Sequence, residues 1–171
     1  MSTLTKYRLV LSAFMLGLVL SGITAFPLAW EMKLLTSWFG IDSSLGPEHY
    51  DGLRFWLATV SHGLKETYAP YPWVAYGTDW LAFAHIAIAV YFIGPLMNPL
   101  RNEWVLYAGL VGCVLVLPLA LICGPLRGIP FYWRLIDCSF GFFGALPLLY
   151  CARLTRRLIR SSVPAGHLKI T

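Results

Sequence analysis

Residues 104–123 read WVLYAGLVGCVLVLPLALIC, twenty consecutive residues with no charge among them. Coiled as an α-helix at 1.5 Å per residue, they reach about 30 Å, the thickness of a bilayer's hydrocarbon core. Working outward, three further apolar runs can cross in the same way: Leu9 to Trp30, Thr78 to Leu96, and about Ile136 to Ala152. The last is short and holds Asp137 at its start and Pro147 inside. The expectation is a single all-α membrane domain over residues 1–171. Its four transmembrane helices form a bundle, with an outer loop at 31–77 and a basic tail at 153–171.

Composition agrees with this. Of 171 residues, 58% are hydrophobic and 12% charged, about half the charged fraction of a soluble domain, and mean hydropathy is +0.67. These values argue against a soluble enzyme, a disordered tail or a nucleic-acid module. The net charge of +5 does not imply nucleic acid either, because the charges are sorted by side. Lys6, Arg8, Arg101, Arg153, Arg156, Arg157, Arg160 and Lys169 fall on one side of the spans, whereas Lys33, Arg54, Lys65, Arg127 and Arg134 fall on the other. The positive-inside rule makes the richer side cytoplasmic, giving a multi-pass protein of the cell membrane with both termini inside. Six of the seven tryptophans then sit at or beyond the outer boundary, and Trp104 at the inner one. Lys6 and Arg8 ahead of an apolar stretch resemble a signal peptide, but residues 21–26 make a mediocre cleavage site, and the segment is read as a retained helix.

Within the outer loop, Leu53, Trp56, Leu57, Val60 and Leu64 recur at helical spacing behind Pro47. They predict an amphipathic helix lying on the membrane or capping the bundle. His62 and Glu66, four apart, are a solvated pair on its other face rather than a metal site, since two ligands do not hold a metal. Small residues line each span: Ala13, Gly17, Ser21 and Thr24; Thr78, Ala82 and Ala89; Gly109, Gly112, Cys113, Ala120 and Cys123; Gly141 and Gly144. In lipid such stripes let helix backbones approach closely, so all four are expected to face the inside of a tight bundle.

The ionisable residues left near the spans define the candidate site. His85 lies on the small stripe of the second span, about 9 Å below the outer interface. An ionisable group at that depth is a functional hypothesis by default, with Thr24 or Asp137 as its expected partner. Asp137 is expected at a helix N-terminus, clamped by Arg134 and near Arg127, and Asp79 just after an N-cap at Thr78. Together His85, Asp79, Asp137, Arg134 and Arg127 are read as converging on one polar pocket of the outer leaflet. Pro118 and Pro147 should each free a carbonyl one turn back, at Val114 and Phe143. Of the four cysteines, Cys123 and Cys138 lie at similar depth and could bridge, although buried free thiols are the favoured alternative.

In size, span number and cytoplasmic termini the layout is similar to that of membrane disulfide generators. Those enzymes pass electrons from an outer-loop Cys-x-x-Cys to a quinone. Here there is no Cys-x-x-Cys, and the first outer loop has no cysteine, so the layout does not bring the activity with it. The sequence therefore leans away from an enzyme. It is read as an accessory or ligand-binding subunit whose partners are the lipid bilayer and other membrane proteins or further copies of itself. A redox protein holding haem or quinone near His85 is the first alternative, with His49 or His62 as the second histidine. A small carrier or membrane-embedded enzyme using His85 and Asp137 is the other.

Overall fold

The computed structural model describes residues 1–162, the side chain of Ser162 excepted; Lys169 and the rest of the tail from 163 lie outside the described residues. Among the described residues the fold is all helical. Four helices are long and apolar enough to cross a membrane: Thr3–Ala25, Pro72–Met97, Glu103–Leu126 and Phe131–Ser161. The chain separates into two compact units, residues 1–17 with those from 89 onward, and residues 18–88.

The first helix, α1 (Thr3–Ala25), starts six residues earlier than its apolar run because Ser2 caps it. The Ser2 hydroxyl accepts the Thr5 N–H at 3.1 Å, and its carbonyl accepts the Lys6 N–H. It also ends earlier than the expected Trp30, at Ala25. Pro27 has no N–H to continue the ladder, and its carbonyl accepts from Trp30 and Glu31 to open a new helix, α2 (Leu28–Trp38). The outer loop expected from residue 31 is thus helical for its first eight residues. Gly40, at φ +61°, closes α2, letting the Ile41 N–H reach back to the Thr36 carbonyl at 2.8 Å.

Residues 18–88 hold α2, α3 (Gly52–Tyr68) and most of α4 (Tyr76–Tyr91). Helices α2 and α3 pack together through Met32, Thr36, Leu57 and Ala58, all buried. Pro47 opens a short 3₁₀ turn, Pro47–His49, rather than α3 itself. Of the five residues expected on the apolar stripe of α3, Trp56, Leu57, Val60 and Leu64 are at least half-buried, while Leu53 is exposed. The turn between α2 and α3 is tied rather than loose. Tyr50's hydroxyl accepts the Asp42 N–H at 2.7 Å, and Arg54 donates to the Gly40 carbonyl at 2.7 Å while lying over the Tyr50 ring.

The other unit contains the start of α1, α5 (Ile93–Met97), α6 (Glu103–Pro118), α7 (Gly124–Leu126) and α8 (Phe131–Ser162). Its core is Tyr7, Leu11, Phe92, Leu106, Leu148, Cys151 and Thr155, none more than 2% exposed. Phe14 meets Phe92 edge to face with ring centroids 5.0 Å apart. Helices α6 and α8 share the closest seam. A Cβ on Gly141 would stand 2.5 Å from the Cys113 carbonyl oxygen, and one on Gly109 would stand 2.7 Å from Phe92 and 2.9 Å from Leu148.

Pro118 does not break α6. Lacking an N–H, it is followed by a widened π-helical turn, Leu119–Cys123, that carries the chain into α7. Helix α8 is one continuous helix of 32 residues rather than a short span over 136–152. At about 48 Å it exceeds the hydrocarbon core by several turns, and its excess carries the arginine run from 153 to 160.

Candidate functional site

The five expected site residues fall into two groups, Asp79 and His85 in residues 18–88, and Arg127, Arg134 and Asp137 in the other unit. On α4, Ala82 places its carbonyl 2.8 Å from where a Cβ on Gly22 would be, and the His85 Cβ lies 3.2 Å from the same point. His85 therefore sits beside a close approach of α1 and α4, half-buried. Its ring is held by its own helix. Nδ1 lies 2.8 Å from the Leu81 carbonyl, and since a carbonyl only accepts, Nδ1 is the donor and Nε2 is the ring nitrogen this bond does not use. Within the same unit, Thr24 is not its hydrogen-bond partner. Thr24 donates instead to the Ser21 carbonyl at 3.2 Å.

Asp79 lies in the first turn of α4, where its charge favours the positive end of the helix dipole. Thr78 is not the N-cap, because the helix begins at Tyr76; the Thr78 hydroxyl donates to the Ala75 carbonyl at 2.7 Å.

The expected clamp on α8 does not form. Among the described residues the ion pairs are His49 with Glu48 and His62 with Glu66, and none joins Asp137 to Arg134 or Arg127. Arg134 lies instead against Gly124, with its guanidinium 5.2 Å from the Phe131 ring centre, and its buried Nε has no hydrogen-bond partner among the described residues. Because α8 starts at Phe131, Asp137 sits in its second turn, past the residues that a helix N-terminus stabilises. It is half-buried, whereas Arg127 is exposed. All four cysteines are free thiols, so the bridge considered for Cys123 and Cys138 is not made, and Cys123 is exposed on the π-helical turn.

His62 and Glu66 are 3.1 Å apart with about half or more of each side chain exposed, the geometry of a solvated pair. No group of three His, Cys, Asp or Glu residues that could hold a metal occurs among the described residues. Near α3, Asp42 accepts both the backbone N–H and the hydroxyl of Ser44, which holds its carboxyl below the usual carboxylate range.

Two features escaped the sequence. One is the small stripe of α1: Ala13, Gly17, Ser21 and Thr24 are all exposed, and nothing lies within 4 Å of a Cβ built on Gly17. Spacing marks a stripe, but it cannot say which side of a helix meets its neighbour. The packing glycine of α1 is Gly22, five residues on. The other feature is a cavity of about 360 Å³ among the start of α1, the turn after α5 and the end of α8. Its residues come from three segments more than 50 positions apart in the chain and carry no shared motif. No family model, curated protein or solved structure matches this chain.

Proposed function

We propose that the protein is a non-catalytic accessory subunit of a larger assembly in the cell membrane. In this reading its four apolar helices cross as a bundle, both termini are cytoplasmic, and α3 lies along the outer surface. The observation that carries the proposal is the open small face of α1. Ala13, Gly17 and Ser21 follow one another at four-residue spacing, all exposed, with free space over Gly17. A helix in lipid gains little by exposing such a face, whereas a partner helix set against it gains close van der Waals contact. The partner is another membrane protein or a further copy of this chain. Ligand binding is a second part of the proposal, resting separately on His85 with Asp79 and on Arg134 with Asp137 and Arg127.

The test is native mass spectrometry of the full chain extracted gently from its membrane, wild type beside Gly17→Leu. The expected result is a stoichiometric partner in the wild type that is lost from a variant whose own fold is intact. A monomeric wild type, or a partner retained by Gly17→Leu, overturns the assignment of this face.

One observation supports haem as a second reading. With Nδ1 of His85 donating to the Leu81 carbonyl, Nε2 is the ring nitrogen left to ligate a metal, the arrangement of proximal histidines that donate to a backbone carbonyl. His49 and His62, however, are each engaged by a neighbouring glutamate. A visible absorption band that disappears in His85→Ala would favour haem over the accessory role.

A further inference from the structure

The unit made of residues 1–17 and those from 89 onward is strongly polarised. One end carries Lys6 and Arg8 at the start of α1, Arg101 in the turn before α6, and the four arginines that close α8, against the single acid Glu103. Even that acid is engaged. Glu103 accepts from the Tyr107 hydroxyl at 2.9 Å, and Arg156 donates to the same hydroxyl at 3.3 Å. The remaining cations of this end form no ion pair with a carboxylate among the described residues. An excess of this kind attracts an anionic surface, each cation adding about a fivefold preference near a charged leaflet.

Charge alone would describe a topological anchor. Here it coincides with a cavity. The space of about 360 Å³, within the roughly 300–1,000 Å³ typical of small-ligand sites, is bounded by side chains of two kinds. Leu4, Met97, Leu100 and Leu158 supply apolar walls, and Arg8 and Asn98 supply polar groups. Met97 is 73% exposed and Leu100 46%, so these walls are uncovered among the described residues. The Asn98 side-chain oxygen accepts the Arg101 N–H at 3.1 Å, which leaves its amide nitrogen to donate elsewhere. Arg101 and Arg157 directly adjoin the lining residues Leu100 and Leu158 in the chain.

We propose that this groove binds one anionic phospholipid. Its phosphodiester lies against Arg8 and the Asn98 amide, and its first acyl carbons cover Met97, Leu100 and Leu158. A free anion would satisfy Arg8 but leave four apolar side chains bare, and a zwitterionic lipid would cover those side chains but set a cationic headgroup into a basic collar. An anionic lipid satisfies both. The proposal rests on the helices crossing a membrane, not on the accessory role.

The test is native mass spectrometry of the full-length protein reconstituted in vesicles of equal parts phosphatidylglycerol and phosphatidylcholine and released stepwise from detergent. The wild type is expected to retain one phosphatidylglycerol in preference to phosphatidylcholine. Arg8→Gln should lose about fivefold of that retention. Met97→Trp, a substitution at an exposed position that fills the groove without removing charge, should lose it as well, whereas Arg153→Gln should keep it. Equal retention of the two lipids overturns the proposal, as does retention unchanged in both Arg8→Gln and Met97→Trp. Displacement by inorganic phosphate would identify a soluble-anion site and overturn the lipid; a dimer sensitive to Met97→Trp with no lipid retained would identify a second copy as the occupant. Loss of the α1 partner in Gly17→Leu with lipid retention intact separates this proposal from the accessory role.

Discussion

Gly141 and Gly17 are the same residue in two long apolar helices, yet they stand in opposite surroundings. Gly141 is buried in the α6–α8 seam, where a Cβ would meet the Cys113 backbone at 2.5 Å; Gly17 is exposed on α1, with nothing beyond its own helix turn within 4 Å of where a Cβ would stand. The seam shows what small residues do once a helix pair has formed, which is to let the backbones come close enough for dispersion contacts along their length. The face of α1 has the same composition without the contact. The difference teaches that a small-residue stripe reports a capacity for close approach and not its fulfilment within one chain.

The largest expected effect comes from closing the space in the seam. In Gly141→Ala the added methyl would meet a carbonyl oxygen fixed in the α6 backbone, and no rotamer change can relieve it. Helices α6 and α8 must separate, for an expected loss of about 3 kcal/mol, the upper end of the ordinary range for overpacking. Reversible unfolding in mixed micelles measures it; a loss below about 0.5 kcal/mol, the size of a neutral surface change, would show that the seam is slack.

A smaller loss is expected at Gly22, where α1 does meet a neighbour. A Cβ there would stand 2.8 Å from the Ala82 carbonyl and 3.0 Å from the Ile86 side chain, one rigid contact and one that can yield. Gly22→Ala should therefore cost about 2 kcal/mol by the same measurement. It should also disturb the His85 ring, whose Cβ is 3.2 Å from the same point, which ¹⁵N chemical shifts of the imidazole would read. A Gly22→Ala protein with unaltered stability and unaltered His85 shifts would place the packing side of α1 elsewhere.

The contrast also bounds how much of the molecule was legible from its sequence. Hydropathy and length located four apolar helices because both are properties of one segment at a time. Helix ends were less legible, since Ser2 and Pro27 lie outside or at the rim of the apolar runs yet determine where α1 starts and stops. Helix α2 was missed because its residues 31–38 continue the polar, Trp-bearing pattern that was assigned to a loop. The candidate site suffered most. A clamp between Arg134 and Asp137 is sound local chemistry at i, i+3 of a helix, but spacing along one helix cannot show which other element claims the arginine. With α8 beginning at Phe131, Arg134 instead lies along Gly124 and over the Phe131 ring, and the carboxylate is left without it. Which face of α1 packs, and which distant residues enclose the basic groove, are properties of pairs of helices that no single run of sequence contains.

The smallest effect has the opposite sign, and it separates the two regions most sharply. Glycine inside a helix costs roughly 0.5–1 kcal/mol relative to alanine, because the unfolded chain gives up more backbone freedom. In the seam that cost is outweighed by the close approach it permits. At Gly17 and at Gly112, which is exposed on α6 with nothing within 4 Å of its Cβ position, no contact among the described residues offsets it. Gly17→Ala and Gly112→Ala should each stabilise the isolated protein by about 0.5 kcal/mol in the same unfolding measurement. If the accessory role is right, Gly17→Ala should at the same time weaken retention of the partner, because the methyl that helps the free helix occupies the space a second helix needs. Gain of stability with loss of partner is the outcome that a lipid-facing glycine would not produce.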